Sequence, residues 1–165
     1  MKSLFTCLVT LFISSSLVHA MENKKCDDTK MVYKFCVDQN DLYKSKLNKA
    51  KVDKKLLLVQ FGFEQCPWCI NLHKLFEGSL KSFTEKNYVV VEININEKSG
   101  KDLFERIKGK YKKGVKETGW PFWIIVNPQT NTSEFQDTAD LEDNSKGQKG
   151  HDINKVKMAL NKFIK

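Results

Sequence analysis

The chain has 165 residues, 41% of them hydrophobic, which is enough for one domain with a real core and too few for a second of similar size. Its net charge is +8, carried almost wholly by lysines spread along the chain, with Arg106 the single arginine and no interleaved aromatic stacking partners. That pattern argues against a nucleic-acid partner and for a solvated basic surface with weak attraction to acidic proteins or anionic surfaces.

In chain order, residues 1–20 combine Lys2, an apolar stretch from Leu4 to Val18 and a Val18-His19-Ala20 end shaped for signal peptidase, so they read as a signal peptide removed on export. A membrane anchor needs about 20 apolar residues, and this stretch is shorter and contains Ser14, Ser15 and Ser16. Cys7 precedes the apolar segment, which argues against lipid attachment. Without Lys2 the net charge becomes +7, and Cys26, Cys36, Cys66 and Cys69 remain. An even number in an exported chain is most simply two pairs: Cys66 with Cys69 as the functional one, and Cys26 with Cys36 as a structural disulfide in an N-terminal extension, residues 21–40. The rival leaves Cys26 or Cys36 free, or exchanging with the active site.

The domain proper, 41–165, opens with a helix over Asp41–Lys51, capped by Asp41, with Leu42, Leu47 and Ala50 inward. Lys54 to Phe63 is apolar without alternation, the pattern of an internal strand covered on both faces. From 66 to about 84 the spacing of Cys69, Leu72, Leu75, Phe76, Leu80 and Phe83 predicts one long amphipathic helix, weakened or bent at Gly78. Tyr88 to Ile95 is β-branched and reads as a second buried strand, and Ser99 to about Tyr111 as a helix through Leu103, Phe104 and Ile107. Residues 109–119 form a basic loop, and the charge run Lys108, Lys110, Lys112, Lys113 and Lys116 is read as solvated, with attraction of an acidic substrate as the alternative. Phe122–Val126 begins a third strand, Asn127-Pro128 turns it, and Thr132–Gln136 returns as a hairpin. A polar loop over 137–150 precedes a last helix burying Ile153, Val156, Leu160 and Phe163 or Ile164.

Chemistry concentrates at Cys66-Pro67-Trp68-Cys69, where the first strand stops and a helix starts. Unpaired N–H groups and the positive end of a helix favour thiolate over thiol, so the outer sulfur, Cys66, is expected to be exposed and to attack. One helical turn on, Cys69 reaches back and resolves a mixed disulfide, and Pro67 sits where its missing N–H costs nothing. No second C-x-x-C and no Cys/His pair at zinc spacing accompanies the motif, so no metal site is expected. His73, two turns down, reads as a surface or interface histidine, and His151 stays unassigned. Trp68, Trp120, Phe122 and Trp123 are candidates for an apolar rim, although strand alternation should turn Phe122 or Trp123 into the core.

The order strand, C-P-W-C, helix, strand, helix, Gly119-Trp120-Pro121, strand, turn, strand, helix resembles the thioredoxin superfamily over residues 41–165, most of all its small exported members with extra N-terminal residues. The resemblance implies an α/β thioredoxin fold, a central mixed sheet flanked by helices with an N-terminal extension, and a cis bond before Pro121 packed against the cysteines. It implies a thiol:disulfide oxidoreductase with Cys66 and Cys69 catalytic and with Pro67, Trp68, Trp120 and Pro121 shaping the substrate groove. Expected partners are protein thiols or disulfides and an unidentified redox partner. No cofactor, nucleic acid or membrane anchor after cleavage is expected, and the chain should be a monomer, in the bacterial periplasm or secreted. This sequence departs from the family's pattern at three residues. Gln60 stands where many members carry a buried carboxylate, so a general base would have to be Glu64, which reads as too exposed, a lysine or water. Trp68 stands where strongly oxidising relatives carry histidine, implying an intermediate or reducing potential, and the bulk of Trp120 narrows the groove. Whether the chain reduces, oxidises or isomerises is not encoded. The alternatives are a metal-handling protein using both thiolates for copper or zinc, and a non-enzymatic thioredoxin-like binding module.

Overall fold

The computed structural model describes residues 26–109, 119–143 and 149–164; the leader expected at 1–20, and Lys110, Lys112, Lys113 and Lys116, lie outside the described residues. Helix α1, Gln39–Val52, starts earlier than the expected Asp41 because the Asp38 carboxylate accepts the N–H groups of Asn40 and Asp41. That satisfies donors the helix cannot pair itself, and Asp41 then lies in the first turn, at the positive end.

Strand β1, Leu56–Gly62, runs parallel to β2, Tyr88–Asn94, and antiparallel to β3, Phe122–Asn127, which pairs antiparallel with β4, Thr132–Gln136. The sheet order β2-β1-β3-β4 places β1 inside, which is why its apolar residues run without alternation. Leu57, Val59 and Phe61 of β1, with Phe122, Ile124 and Val126 of β3, join one core with Ala50 of α1 and Leu103, Phe104 and Ile107 of α4, Lys98–Lys108. Leu58, Trp123 and Ile125 point the other way, into a second core with Leu72 and Phe76 of α2, Pro67–Glu77, and Val156, Ala159 and Leu160 of α5, Ile153–Asn161.

The long helix expected over 66–84 is two. Gly78 leaves helical geometry at φ −113° and ψ −108°, ending α2, and α3 follows over Lys81–Asn87. With no side chain to pack, glycine loses more entropy than any other residue on entering a helix, so it stops this one rather than bending it. Among its described residues, the expected loop over 137–150 contains a 3-10 turn, Ala139–Leu141, and Glu142 forms an isolated bridge to His151 just beyond it. Gly100 marks a close approach between α4 and the end of β2, since a methyl there would lie 1.9 Å from the Asn94 carbonyl oxygen.

The N-terminal segment is built into this body. Cys26 and Cys36 are bonded, with Cα atoms 5.6 Å apart, and Oδ2 of Asp28 accepts the N–H groups of Phe35 and Cys36, each at 2.8 Å. Gln39, fully buried, donates to the carbonyls of Lys34 and Val37 and accepts the N–H of Asn94 at 3.0 Å, tying the segment to the end of β2.

Candidate active site

The dithiol sits at the seam between β1 and α2. Cys66 is the N-cap of α2, in extended geometry, and its Sγ accepts the N–H of Cys69 at 3.2 Å. A sulfur in that position faces the helix N-terminus, where negative charge is favoured and the first N–H groups lack intrahelical acceptors. Pro67 takes the first helical position, and Cys66 and Cys69 are joined by a disulfide with Cα atoms 5.2 Å apart. Lys149 Nζ lies 5.3 Å from the centre of the Trp68 ring, and Asn71 of α2 donates to the Lys149 carbonyl, so a cation is held beside the motif.

The Trp120-Pro121 peptide bond is cis and approaches the cysteines: the Trp120 carbonyl oxygen lies 3.8 Å from Cys66 Sγ. Thr138, buried, holds that turn by donating to the Pro121 carbonyl. Trp120 also stacks edge-on against Phe104 at 5.0 Å, which fixes it over the first core.

Several expectations are corrected. Cys66 is only 5% exposed and Cys69 is fully buried, because they share a buried cluster with Tyr33, and Val32, Phe63, Trp68 and Trp120 close around it. The shielding comes from the stapled N-terminal segment and the Trp120 turn, which lie over the end of β1. Both Phe122 and Trp123 are core residues, one on each face of a sheet covered on both sides, so the half-buried Trp68 and Trp120 alone remain for a rim. Glu64 is half-buried rather than exposed, and its Oε2 accepts the N–H groups of Val32 and Tyr33 at 3.1 and 3.0 Å. It anchors the N-terminal segment and is occupied as an acceptor. His73 is half-buried and paired through Nδ1 with Glu92 of β2 at 2.9 Å, and that hydrogen bond raises its pKa.

Sequence reasoning missed Tyr33. Its hydroxyl accepts from Gln60 Nε2 at 2.7 Å, and Gln60 Oε1 in turn accepts from Trp123 Nε1 at 2.9 Å; all three side chains are fully buried. Gln60 and Trp123 are partners in the β1–β3 register, so that half was accessible to strand alternation once the pairing was known. Tyr33 lies in a segment with no periodicity to read. Among the described residues no group of three or more His, Cys, Asp or Glu is arranged to hold a metal.

No protein-family model and no curated protein matches the chain. Among solved structures, a disulphide isomerase from Xylella fastidiosa Temecula1 is similar with a TM-score of 0.61 at 18% identity, over 82% of this chain and 98% of that one. A thioredoxin from Thermus thermophilus aligns over 58% of this chain and 68% of its own, at 22% identity and TM-score 0.44. A poxviral disulfide oxidoreductase aligns over 66% and 93%, at 24% identity and TM-score 0.43. The likeness to the Xylella structure establishes the fold: a mixed sheet flanked by helices, the thioredoxin fold that the order of elements implied.

Proposed function

We propose that the protein is an exported thiol:disulfide oxidoreductase that exchanges disulfides with protein substrates, Cys66 attacking and Cys69 resolving. The observation that carries this reading is the position of Cys66 Sγ: N-cap of α2, accepting the Cys69 N–H at 3.2 Å, and already bonded to Cys69. As a thiolate, Cys66 attacks one sulfur of a substrate disulfide; the new S–S bond forms as the old one breaks, and the other substrate sulfur leaves with the electron pair. Cys69 then attacks Cys66, releasing the second substrate thiolate and restoring the internal disulfide. In the reverse direction the same steps donate a disulfide. Pro67, Trp68 and Trp120 form the surface against which an extended substrate lies, with the buried Pro121 setting the turn that carries Trp120, and residues 1–20 act as a cleaved leader that delivers the chain to the periplasm. Support for the activity comes also from the fold shared with the Xylella disulphide isomerase.

Insulin reduction tests the reading: turnover by the intact protein should be abolished by Cys66→Ser, and turnover that survives the substitution overturns it. Substituting Cys69→Ser should trap clients as mixed disulfides in cells, and mass spectrometry of the exported chain should find Met21 at its N-terminus.

The shielding of Cys66, 5% exposed, favours a second reading, a binding module whose disulfide is inert. Glutathione titration followed by Trp68 fluorescence separates the two, since an inert bond requires a potential well below about −300 mV.

A further inference from the structure

Behind the dithiol, three buried side chains form a hydrogen-bond chain whose direction is fixed by their chemistry. An indole N–H only donates, so the Gln60 atom that meets Trp123 Nε1 at 2.9 Å is its carbonyl oxygen. The amide nitrogen of Gln60 therefore faces the Tyr33 hydroxyl at 2.7 Å and donates to it. With its oxygen already accepting, Tyr33 has its own O–H left to give. Gln60, Tyr33 and Trp123 are fully buried, which keeps bulk water from taking that hydrogen. The hydroxyl and the sulfur both border the bare Cα of Gly62: a methyl placed there would lie 2.6 Å from the Tyr33 hydroxyl oxygen and 2.7 Å from Cys69 Sγ.

We propose that Tyr33, held in place by the stapled N-terminal segment, donates its hydroxyl hydrogen to the Cys69 sulfur once the Cys66–Cys69 bond opens, stabilising the resolving thiolate. The inference rests on the disulfide-exchange reading and names the group that supports Cys69 where Gln60 cannot take a proton. Burial holds the Tyr33 hydroxyl well above the usual phenol range, so it stays protonated and serves as a donor, never as a base. In the resolving step the Cys69 thiolate attacks Cys66 Sγ, the Cys66–Cys69 bond forms, and the bond from Cys66 to the substrate sulfur breaks with the electron pair on the substrate. The proton Cys69 gave up ends on that leaving sulfur, and Tyr33 keeps its own. A hydrogen bond to a buried charge is among the stronger ones available.

The test is Tyr33→Phe, which keeps the ring and removes the donor. In the Cys66→Ser chain, where Cys69 is the one thiol of the active site, ultraviolet thiolate absorbance should show the Cys69 pKa rising by about one pH unit when Tyr33→Phe is added. With both cysteines present, the mixed disulfide formed with oxidised glutathione should resolve about tenfold more slowly. Placing 3-fluorotyrosine at position 33 strengthens the donor without emptying the site, and should shift the Cys69 titration downward even if Tyr33→Phe does not fold. An identical Cys69 titration in the two tyrosine forms overturns the assignment, because a purely structural Tyr33 would not couple to it. A Cys69 titration that moves in a protein inactive on insulin keeps the hydrogen bond and sinks the enzymatic reading; the converse sinks the hydrogen bond alone.

Discussion

Gly62, the last residue of β1, is where the sheet, the N-terminal segment and the dithiol come closest. Gly62→Ala would place a methyl 2.6 Å from the Tyr33 hydroxyl and 2.7 Å from Cys69 Sγ, both far inside contact, so Tyr33 or the disulfide must shift. Overpacking of this kind costs about 1–3 kcal/mol, readable as a lower urea midpoint at unchanged m-value. Gln60→Leu tests the neighbouring polar chain from its middle. The swap is nearly isosteric, yet it strips the Trp123 indole of its acceptor and the Tyr33 hydroxyl of its donor inside a dry core. Each buried polar group left unpaired costs about 1–3 kcal/mol, so chemical denaturation should show Gln60→Leu losing more stability than a Leu72→Val substitution in the same core. A smaller loss would mean that water enters the site.

Two short devices hold the first elements in place. Asp38 caps α1 through two backbone N–H groups, and Asp38→Ala should cost about 1 kcal/mol by thermal or urea unfolding. Joint Cys26→Ser and Cys36→Ser substitution frees the loop that carries Val32 and Tyr33 against the dithiol. The lost crosslink should lower stability by about 3 kcal/mol in a chain-entropy account, and dithiothreitol should then reduce Cys66–Cys69 faster than in the parent, followed by Trp fluorescence. An unchanged reduction rate would show that Glu64 and Gln39 alone hold the segment down. These elements also mark what the sequence exposes and what it hides. The strands were legible because β1 and β3 are covered on both faces and so carry unbroken apolar runs, and β4 was legible to the residue because the Asn127-Pro128 turn precedes it. Cys66 as a cap was legible from the abrupt passage of Phe61-Gly62-Phe63 into a helical spacing. The break at Gly78 and the start of α1 depend on local capping that periodicity blurs. The cover over Cys66 was illegible altogether: Tyr33 meets Gln60 27 residues away and Glu64 holds Tyr33 from 31, contacts that a polar, aperiodic segment does not announce.

At the scale of the whole molecule, His73 and His151 have opposite effects on stability. His73 of α2 bonds Glu92 of β2, which raises its pKa above the unfolded value of 6.5. The folded chain thus holds a proton the unfolded chain has lost, so this stabilisation is complete below about pH 6.5 and disappears as pH rises through the folded value. His151 is 7% exposed, neither ring nitrogen has a hydrogen-bond partner among the described residues, and burial pulls its pKa down to about 4. Here the unfolded chain takes the proton first, so stability falls as pH drops from 6.5 to about 4, by up to about 1.4 kcal/mol per unit and about 3 kcal/mol in all. The carboxyls of Asp27, Asp28 and Asp53, held below the ordinary aspartate value of 3.8 mainly by hydrogen bonds, act only beneath that window. Because one histidine acts above 6.5 and the other below it, unfolding free energy measured across pH should peak near pH 6.5. His151→Leu should flatten the acid limb and leave the neutral-to-alkaline limb intact, while His73→Gln should do the reverse. An acid limb that keeps its slope in the His151→Leu chain would assign the loss to carboxylates instead.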